Sequence, residues 1–175
     1  MRLFFALWPP RAAAEALHAW ALEARRATGG RATRAESIHL TLAFLGEIEE
    51  HRLAELRSFS AGGERHVLPI EQARHWARNR IVWAGPNEIP DRLRALAGNL
   101  AARLAERNFA TETRPFAAHV TLIRKTRGPG ELPKLPAVDW PVREYLLVRS
   151  RLSAEGPRYD VVERFPLAPI TGSAR

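Results

Sequence analysis

Hydrophobic residues recur at helical spacing near the start of the chain. Between residues 11 and 28 they fall every three or four positions, and Gly29-Gly30 marks the end of that segment. A second long helix is predicted over residues 90–108. A shorter helix is predicted over residues 49–61, where Gly62-Gly63 would stop it. Three helices are therefore expected.

The runs between these helices are rich in strand-forming residues. They predict strands over residues 2–7, 38–45, 67–73, 81–84, 120–123, 145–152 and 159–165. Two hairpins are expected, one turning at residues 78–80 and one at residues 155–157. Residues 126–140 contain three prolines and are expected to form a loop, and the tail after Pro166 is expected to fray. This mixture of helices and antiparallel hairpins predicts an α+β fold.

The chain contains a weak internal repeat. The first predicted helix ends near Thr28 and the third ends near Asn108, and a histidine follows each end by eleven residues, at His39 and at His119. Each histidine opens the same four-residue pattern, HLTL in one case and HVTL in the other. We therefore expect the 175 residues to form one domain made of two similar lobes.

The composition excludes several classes of protein. Apolar residues make up 46% of the chain and charged residues 26%, which is the balance of a globular protein. No apolar run approaches the roughly 20 residues that a membrane-spanning helix needs, and the apolar start is too short for a secretory signal. The chain has no cysteine, which excludes disulfides, thiolate zinc sites and a cysteine nucleophile. A cytoplasmic protein is expected.

The net charge of +8 comes almost entirely from arginine, since only Lys125 and Lys134 are lysines. Arginine suits phosphate ligands because its planar guanidinium can bind two oxygens at once. The same excess also follows from a genome rich in G and C, which favours arginine and alanine codons. The charge therefore permits a nucleic-acid or other anionic ligand without demonstrating one.

The repeated pattern separates its polar residues from its apolar ones. Successive side chains of a strand alternate between its faces, so His39 and Thr41 share one face, opposite Leu40, Leu42 and Phe44. The second copy has the same arrangement, with His119 and Thr121 on one face opposite Val120 and Leu122. The apolar faces suit a core. Each histidine–threonine pair is therefore expected to face a groove or solvent.

Two histidines facing one cleft suit a reaction in which one proton is removed and another is donated. Imidazole has a reference pKa of about 6.5, so one ring can be neutral while the other is protonated near neutral pH. Each threonine hydroxyl would lie beside an imidazole, where it can hold a phosphoryl oxygen. A single such pair is typical of an ordinary surface strand, but two matched copies favour a site.

A metal site is the competing interpretation of these histidines. Catalytic zinc commonly takes three protein ligands. The other four histidines show no ligand-like spacing, and no acidic residue lies within either motif, although Glu36 and Glu47 flank the first. The chain also lacks the Gly-x-Ser-x-Gly of serine hydrolases and a glycine-rich phosphate loop. We expect neither a metal nor a cofactor.

Taken together, these motifs resemble the two-histidine phosphoesterases, and within them the LigT-like RNA 2′,3′-cyclic phosphodiesterases first described as 2′-5′ RNA ligases. The residues that carry the resemblance are 39–46 (HLTLAFLG) and 116–124 (FAAHVTLIR), with weaker support from 2–7 (RLFFAL), 147–152 (LVRSRL) and 156–159 (GPRY). One departure is Ala118, where the family usually has proline. That proline shapes the backbone rather than the chemistry.

The resemblance implies a bilobal fold, with two pseudo-symmetric lobes of antiparallel strands and outer helices around a central basic groove. It implies that His39 and His119 are catalytic, that Thr41 and Thr121 bind the phosphate, and that Arg124 contacts the substrate. The implied reaction opens a terminal 2′,3′-cyclic phosphate of RNA to a 2′-phosphate, with His39 as the acid at O3′ and His119 as the base. With a 5′-hydroxyl in place of water, the same site would join RNA ends through a 2′-5′ linkage.

The implied partner is RNA with 2′,3′-cyclic phosphate ends, tRNA fragments among them, and the expected state is a monomer with no membrane association. Two alternatives remain open at this point. One is a cyclic phosphodiesterase for a small nucleotide such as ADP-ribose cyclic phosphate. The other is an RNA-binding module without catalysis, which has no chemical need for both histidines.

Several further residues carry specific expectations. Strict alternation would place Arg124 on the core face, so we expect the strand to end or bulge at Ile123. For Phe5, Trp8 and Trp76 we favour core burial over stacking on a base. Arg34, Ser150 and Tyr159 receive no assigned role, Arg34 because a solvated arginine is the simpler interpretation.

Overall fold

The computed structural model describes residues 1–170 and confirms an α+β fold with antiparallel strands. In chain order its elements are β1 (Arg2–Leu7), α1 (Arg11–Thr28), β2 (Arg31–Ala32), β3 (Leu40–Glu47), α2 (Leu53–Arg57), β4 (His66–Ile70), β5 (Gln72–Trp76), β6 (Ile81–Gly85), α3 (Asp91–Glu106), β7 (Val120–Arg124), β8 (Val138–Val142), β9 (Glu144–Ser153) and β10 (Gly156–Pro166). Short 3₁₀ turns cover Ala35–Ser37 and Glu50–Arg52. No helix within residues 1–170 is long and apolar enough to cross a membrane.

The main sheet has eight strands and divides into two halves. Its order is β10-β9-β1-β3-β7-β6-β5, and β2 pairs with β7 beside this path. Strands β3 and β7, which carry the two motifs, meet where Leu40 pairs with Val120. Four strands therefore lie on each side of this junction. A separate two-stranded sheet is formed by β4 and β8.

Each long helix packs against the half of the sheet that does not contain the motif strand following it in the chain. Helix α1 leads to β3 along the chain, yet it packs against β2 and β7 in the other half. Helix α3 leads to β7, yet it packs against β3 and β4. Their apolar faces, including Leu17 and Leu100, are fully buried in the same core as Leu40. Because that core covers one face of the motif strands, their polar residues are left on the other face.

The structure confirms both predicted hairpins and the two long helices, but it corrects three other elements. The predicted helix over residues 49–61 is only a 3₁₀ turn followed by the five residues of α2. The predicted strand over residues 67–73 divides at Glu71 into β4 and β5, because β4 pairs with β8 while β5 pairs with β6. The predicted loop over residues 126–140 ends in β8, which supplies that partner.

The prediction that the chain frays after Pro166 is wrong for the next two residues. Leu167 is buried and its N–H donates to the carbonyl oxygen of Arg143. The N–H of Ala168 donates to the carbonyl oxygen of Gly63. These bonds hold the residues after β10 against the segments that flank the second sheet, directly after β8 and shortly before β4. Residues 171–175, to which the same prediction applied, lie outside the described part of the chain.

Candidate active site

The two histidines lie at matching positions, each directly before a motif strand. The Nδ1 of His39 donates to the carbonyl oxygen of Ser37 at 2.8 Å, and the Nδ1 of His119 donates to the carbonyl oxygen of Ala117 at 3.0 Å. A carbonyl oxygen can only accept, so both bonds require the proton on Nδ1. Nε2 is then the ring atom of each histidine that can take up or release a proton toward a ligand.

One groove brings together all five residues that the sequence singled out for catalysis or substrate binding. His39, Thr41, His119, Thr121 and Arg124 line a cavity of about 1180 Å³. Both threonines are partly exposed, whereas the apolar residues that alternate with them are buried, as the pattern predicts. A separate cavity of about 960 Å³, between α1 and residues 134–139, contains none of the five.

The alternation along β3 changes after Thr41. Ala6 of β1 pairs with Thr41 and Phe5 pairs with Ala43, which leaves Leu42 as an extra residue. Such a bulge shifts the side chains that follow it to the opposite face, here as far as the second register shift of β3, between Phe44 and Gly46. The prediction that Phe44 faces the core is therefore wrong: Phe44 is partly exposed and lines the groove.

Arg124 reaches the groove through a second bulge. Trp83 pairs with Thr121 and Val82 pairs with Ile123, so Leu122 is the extra residue of β7. Leu122 and Ile123 are both buried, and Arg124 returns to the exposed face. The expected irregularity exists, but it lies at Leu122, one residue before the predicted position.

Aromatic rings surround His39. Trp8 stacks on its imidazole with ring centroids 4.8 Å apart and planes 12° apart, Tyr159 approaches edge-on at 5.0 Å, and Phe4 lies 5.2 Å away. Burial lowers the pKa of His39 to about 4, and the positive charge of Arg124 acts in the same direction against the hydrogen bond to Ser37. In the free protein near neutral pH this imidazole is uncharged.

His119 has aromatic neighbours of its own. The ring of Trp76 lies 5.1 Å from that of His119, and Trp83 approaches edge-on at 6.5 Å. The expectation of core burial holds for Phe5, which is fully buried, but it is wrong for Trp8 and Trp76, which are partly exposed beside the two histidines.

Strand alternation contained the signal for Trp8. Leu3, Phe5 and Leu7 of β1 face the main core, whereas Phe4 and Ala6 belong to a second cluster against which Trp8 packs. Since Ala6 pairs with Thr41, this second face of β1 continues the face that carries the motif. Trp76 gave no comparable signal, because the strand predicted over residues 67–73 ends before it, whereas β5 runs to Trp76.

The residues without an assigned role fall into two groups. Tyr159 contacts His39 and lines the groove, and burial raises the pKa of its hydroxyl. Arg34 also lines the groove, with its guanidinium 3.5 Å from the carboxylate of Glu36. Ser150 does not line it; this residue pairs with Arg2 and with Tyr159 within the sheet.

Ala118, at the position where the family usually has proline, is buried. Within residues 1–170 its N–H makes no hydrogen bond, so a proline there would lose none. A Cβ added to Gly85 would lie 2.5 Å from the carbonyl oxygen of Ala118, so the backbone of β6 approaches Ala118 closely. The second motif thus has the same histidine geometry as the first without the proline.

Positive charge dominates the groove. The cationic residues on its walls are Arg31, Arg34, Arg94, Arg114, Arg124 and Lys125. Its two carboxylates, Glu112 and Glu155, pair with Arg114 at 3.5 Å and with Arg158 at 3.1 Å. Over residues 1–170 no three side chains of His, Cys, Asp or Glu are grouped to hold a metal ion. The groove therefore presents proton-transfer groups and cations, a combination suited to a phosphate ester.

Comparisons with known proteins agree with this geometry. The family model described as LigT like phosphoesterase matches the chain twice, over residues 7–83 and 84–159, and each match contains one histidine–threonine motif. An RNA 2′,3′-cyclic phosphodiesterase of Escherichia coli is 33% identical over 171 residues, covering 95% of this chain and 96% of the relative. One of Thermus thermophilus is 34% identical over 185 residues, covering 95% and 90%. The crystal structure of E. coli LigT with 3′-AMP superposes with a TM-score of 0.80 at 31% identity, covering 95% of this chain and 97% of that one.

Proposed function

Because this chain belongs to the LigT like phosphoesterase family, we propose that it hydrolyses the terminal 2′,3′-cyclic phosphate of RNA to a 2′-phosphate. The observation that carries the proposal is the placement of His39 and His119 in one basic groove, each with Nδ1 bonded and Nε2 left for proton transfer. The relatives named RNA 2′,3′-cyclic phosphodiesterase support the same reaction.

The groove supplies each group that this hydrolysis needs. His119 takes a proton from water at Nε2 as the water oxygen bonds to phosphorus. The bond from phosphorus to O3′ breaks, and His39 gives its Nε2 proton to that oxygen. Thr41, Thr121 and Arg124 bind the phosphoryl oxygens, where hydrogen bonds aimed at developing negative charge stabilise the transition state.

The lowered pKa of His39 imposes a condition on this assignment. An imidazole with a pKa of about 4 carries no proton on Nε2 near neutral pH, so it cannot act as an acid until it gains one. The cyclic phosphate carries a negative charge, which offsets the repulsion from Arg124 and favours the imidazolium form. The acid role of His39 therefore requires that substrate binding raises its pKa against the effect of burial and takes up a proton.

The same groove also serves ligation. If a 5′-hydroxyl replaces water, His119 takes the proton of that hydroxyl, His39 still protonates O3′ as it leaves, and the product is a 2′-5′ linkage. Hydrolysis is the direction we assign, since the family relatives are named for it. Ligation needs a second RNA end in the groove at high concentration.

The partner we propose is an RNA end rather than a free nucleotide. A cavity of about 1180 Å³ exceeds the usual 300–1,000 Å³ of a small-molecule site, and its walls are basic. Both histidines come from one chain, so the site is complete in a monomer. A non-catalytic RNA-binding module would not need both Nε2 atoms exposed to the same ligand.

The decisive experiment incubates the protein with an oligoribonucleotide that ends in a 2′,3′-cyclic phosphate and identifies the product terminus. We expect a 2′-phosphate, and no product from the variant that lacks both His39 and His119. A 3′-phosphate product would mean that the other phosphorus–oxygen bond breaks. Binding without turnover would favour the non-catalytic module.

A further inference from the structure

The end of β7 carries a group of cations that extends beyond the reacting residues. Arg31 of β2 is the Cα partner of Arg124, and directly opposed residues of antiparallel strands project from the same face. Lys125 follows Arg124 in the chain, and all three line the groove. We call Arg31, Arg124 and Lys125 the β7-end cluster.

The β7-end cluster extends away from the histidines. Along β7, four residue steps separate Val120 from Arg124, roughly 13 Å at the usual rise of a strand. Arg124 lies close enough for its charge to lower the pKa of His39, so it belongs with the reacting phosphate. Arg31 lies opposite Arg124 at this end of β7 and Lys125 follows it, so the cluster holds two cations in addition to the one at the reacting phosphate, and a second anionic group would lie against them.

Glycine allows Arg31 to take this place. Gly30, which directly precedes it, has a φ of 90°, and a Cβ on it would lie 2.5 Å from the carbonyl oxygen of Arg124. That distance is too short for any other residue. The close approach of the two backbones thus fixes Arg31 across from Arg124.

Lys125 is held in an unfavourable backbone conformation. Its φ is 57°, in the left-handed region that disfavours residues other than glycine. The neighbouring Thr126 enforces it: its N–H donates to the carbonyl oxygen of Arg80 at 3.0 Å, and Arg80 Nε donates back to the carbonyl oxygen of Thr126 at 2.9 Å. The buried hydroxyl of Thr126 also bonds to Nε2 of His75 at 2.7 Å. Such strain persists where the surroundings over-determine it, and it is concentrated at ligand-binding positions.

No carboxylate neutralises these two cations. Among residues 1–170 neither Arg31 nor Lys125 forms an ion pair, whereas Arg34 and Arg114 of the same groove do. A phosphodiester would therefore not have to displace an existing partner. An internal phosphodiester carries one negative charge, and both guanidinium and ammonium groups bind it through charge-assisted hydrogen bonds.

We propose that Arg31 and Lys125 bind the phosphodiester on the 5′ side of the terminal nucleotide, so that the groove recognises the end of a polynucleotide in preference to a cyclic mononucleotide. This inference rests on the proposed function, because it takes the cyclic phosphate to lie between the histidines. The terminal nucleotide then spans the interval between His119 and the far end of β7. Arg124 lies between the two phosphates.

The test compares a cyclic mononucleotide with the same nucleotide extended on its 5′ side by one phosphodiester and one nucleoside. We would measure kcat/KM on 2′,3′-cyclic AMP and on the dinucleotide ApA that ends in the same cyclic phosphate. The wild-type protein is expected to favour the dinucleotide at least tenfold. Lys125→Gln and Arg31→Gln are each expected to lower that ratio about tenfold, the size of one charge-assisted contact.

The chain offers a matched control, since Lys134 is its only other lysine and lies outside the groove. Lys134→Gln should leave the ratio unchanged. Lys125→Gly removes the charge while relieving the positive φ, so it stays folded and should lose the preference as Lys125→Gln does. A wild-type ratio near one, or an unchanged ratio in the Arg31 and Lys125 variants, would overturn this inference alone. Inactivity of the wild-type protein on both substrates would overturn the proposed function as well.

Discussion

Leu40 of β3 and Val120 of β7 are Cα partners, and within the described residues they form the single pair that joins these strands. His39 and His119 directly precede them, so both histidines lie at the same junction. Beyond it β3 pairs with β1, whereas β7 pairs with β2 and β6. The junction therefore places the two imidazoles at one groove while their supporting strands belong to different halves of the sheet.

Removal of the Arg124 guanidinium should weaken substrate use. Arg124→Ala is expected to lower kcat/KM on an RNA cyclic phosphate roughly 10- to 100-fold, because a charge-assisted contact of about 1.5–3 kcal/mol is lost. Arg26→Ala, on the exposed side of α1, is the matched control and should have no effect. The test measures kcat/KM of both variants by steady-state kinetics, and melting curves check that both remain folded. Equal kcat/KM in the two variants would place Arg124 outside the site.

Turnover should not depend on a divalent metal. The groove offers two imidazoles, but its two carboxylates pair with arginines, and within residues 1–170 no third His, Asp or Glu is grouped with the histidines to complete the three protein ligands that catalytic zinc commonly takes. We expect unchanged kcat and KM after dialysis against EDTA. If EDTA abolished turnover and zinc or manganese restored it, the acid–base mechanism would be wrong.

The sequence predicted the parts of the site that depend on local pattern. Alternation from His39 to Thr41 and from His119 to Thr121 holds because each pair lies before any bulge. It fails beyond them, at Phe44, where the bulge at Leu42 depends on pairing with β1. A bulge is set by two strands together, so one strand's sequence cannot locate it.

Long-range pairing accounts for the other errors. The prediction of one strand over residues 67–73 is wrong because nothing local separates β4 from β5. Only the pairing of β4 with β8, about 70 residues away, divides them. Alternation along β1 indicated which face Trp8 continues, but its neighbour Tyr159 on that face comes from the distant strand β10. Propensity reports local preference, and these contacts are not local.

The stability of the protein should depend on pH through His39. Its pKa lies near 4 in the folded protein against an ordinary value of 6.5, so between these values the unfolded chain binds more protons. The free energy of unfolding is therefore expected to fall as pH is lowered from about 6.5 to 4. Urea unfolding of His39→Gln should show a shallower fall. Part of the slope should remain, because burial also lowers the pKa of His66.

Trp8 should hold the pKa of His39 down. Its indole stacks on the imidazole and its Nε1 donates to the carbonyl oxygen of Glu36 at 3.1 Å, which fixes the ring in place. Trp8→Ala is expected to raise the pKa of His39 from about 4 toward 6.5, because water then reaches the imidazole. Histidine NMR titration measures this directly. Trp76→Ala, beside His119 instead, is the matched control.

The roles of the two histidines can be separated by a change in the leaving group. His39→Ala and His119→Ala should each lower kcat/KM on RNA by about 10²–10⁴. The double variant should lose less than the product of the two, because both groups act on one transition state. The wild-type kcat/KM should be bell-shaped in pH, with limbs that belong to the coupled pair rather than to either residue.

A substrate with sulfur in place of O3′ assigns the roles. Its leaving group is a thiolate, which needs no proton because a thiol has a pKa of only about 8.5. Activity of His39→Ala should be largely restored on this substrate, since the missing acid is no longer required, and that of His119→Ala should not. Restoration of the His119 variant instead would reverse the assignment and make His39, neutral in the free protein, the base. Near-normal activity of either single variant on RNA would exclude the two-histidine mechanism altogether.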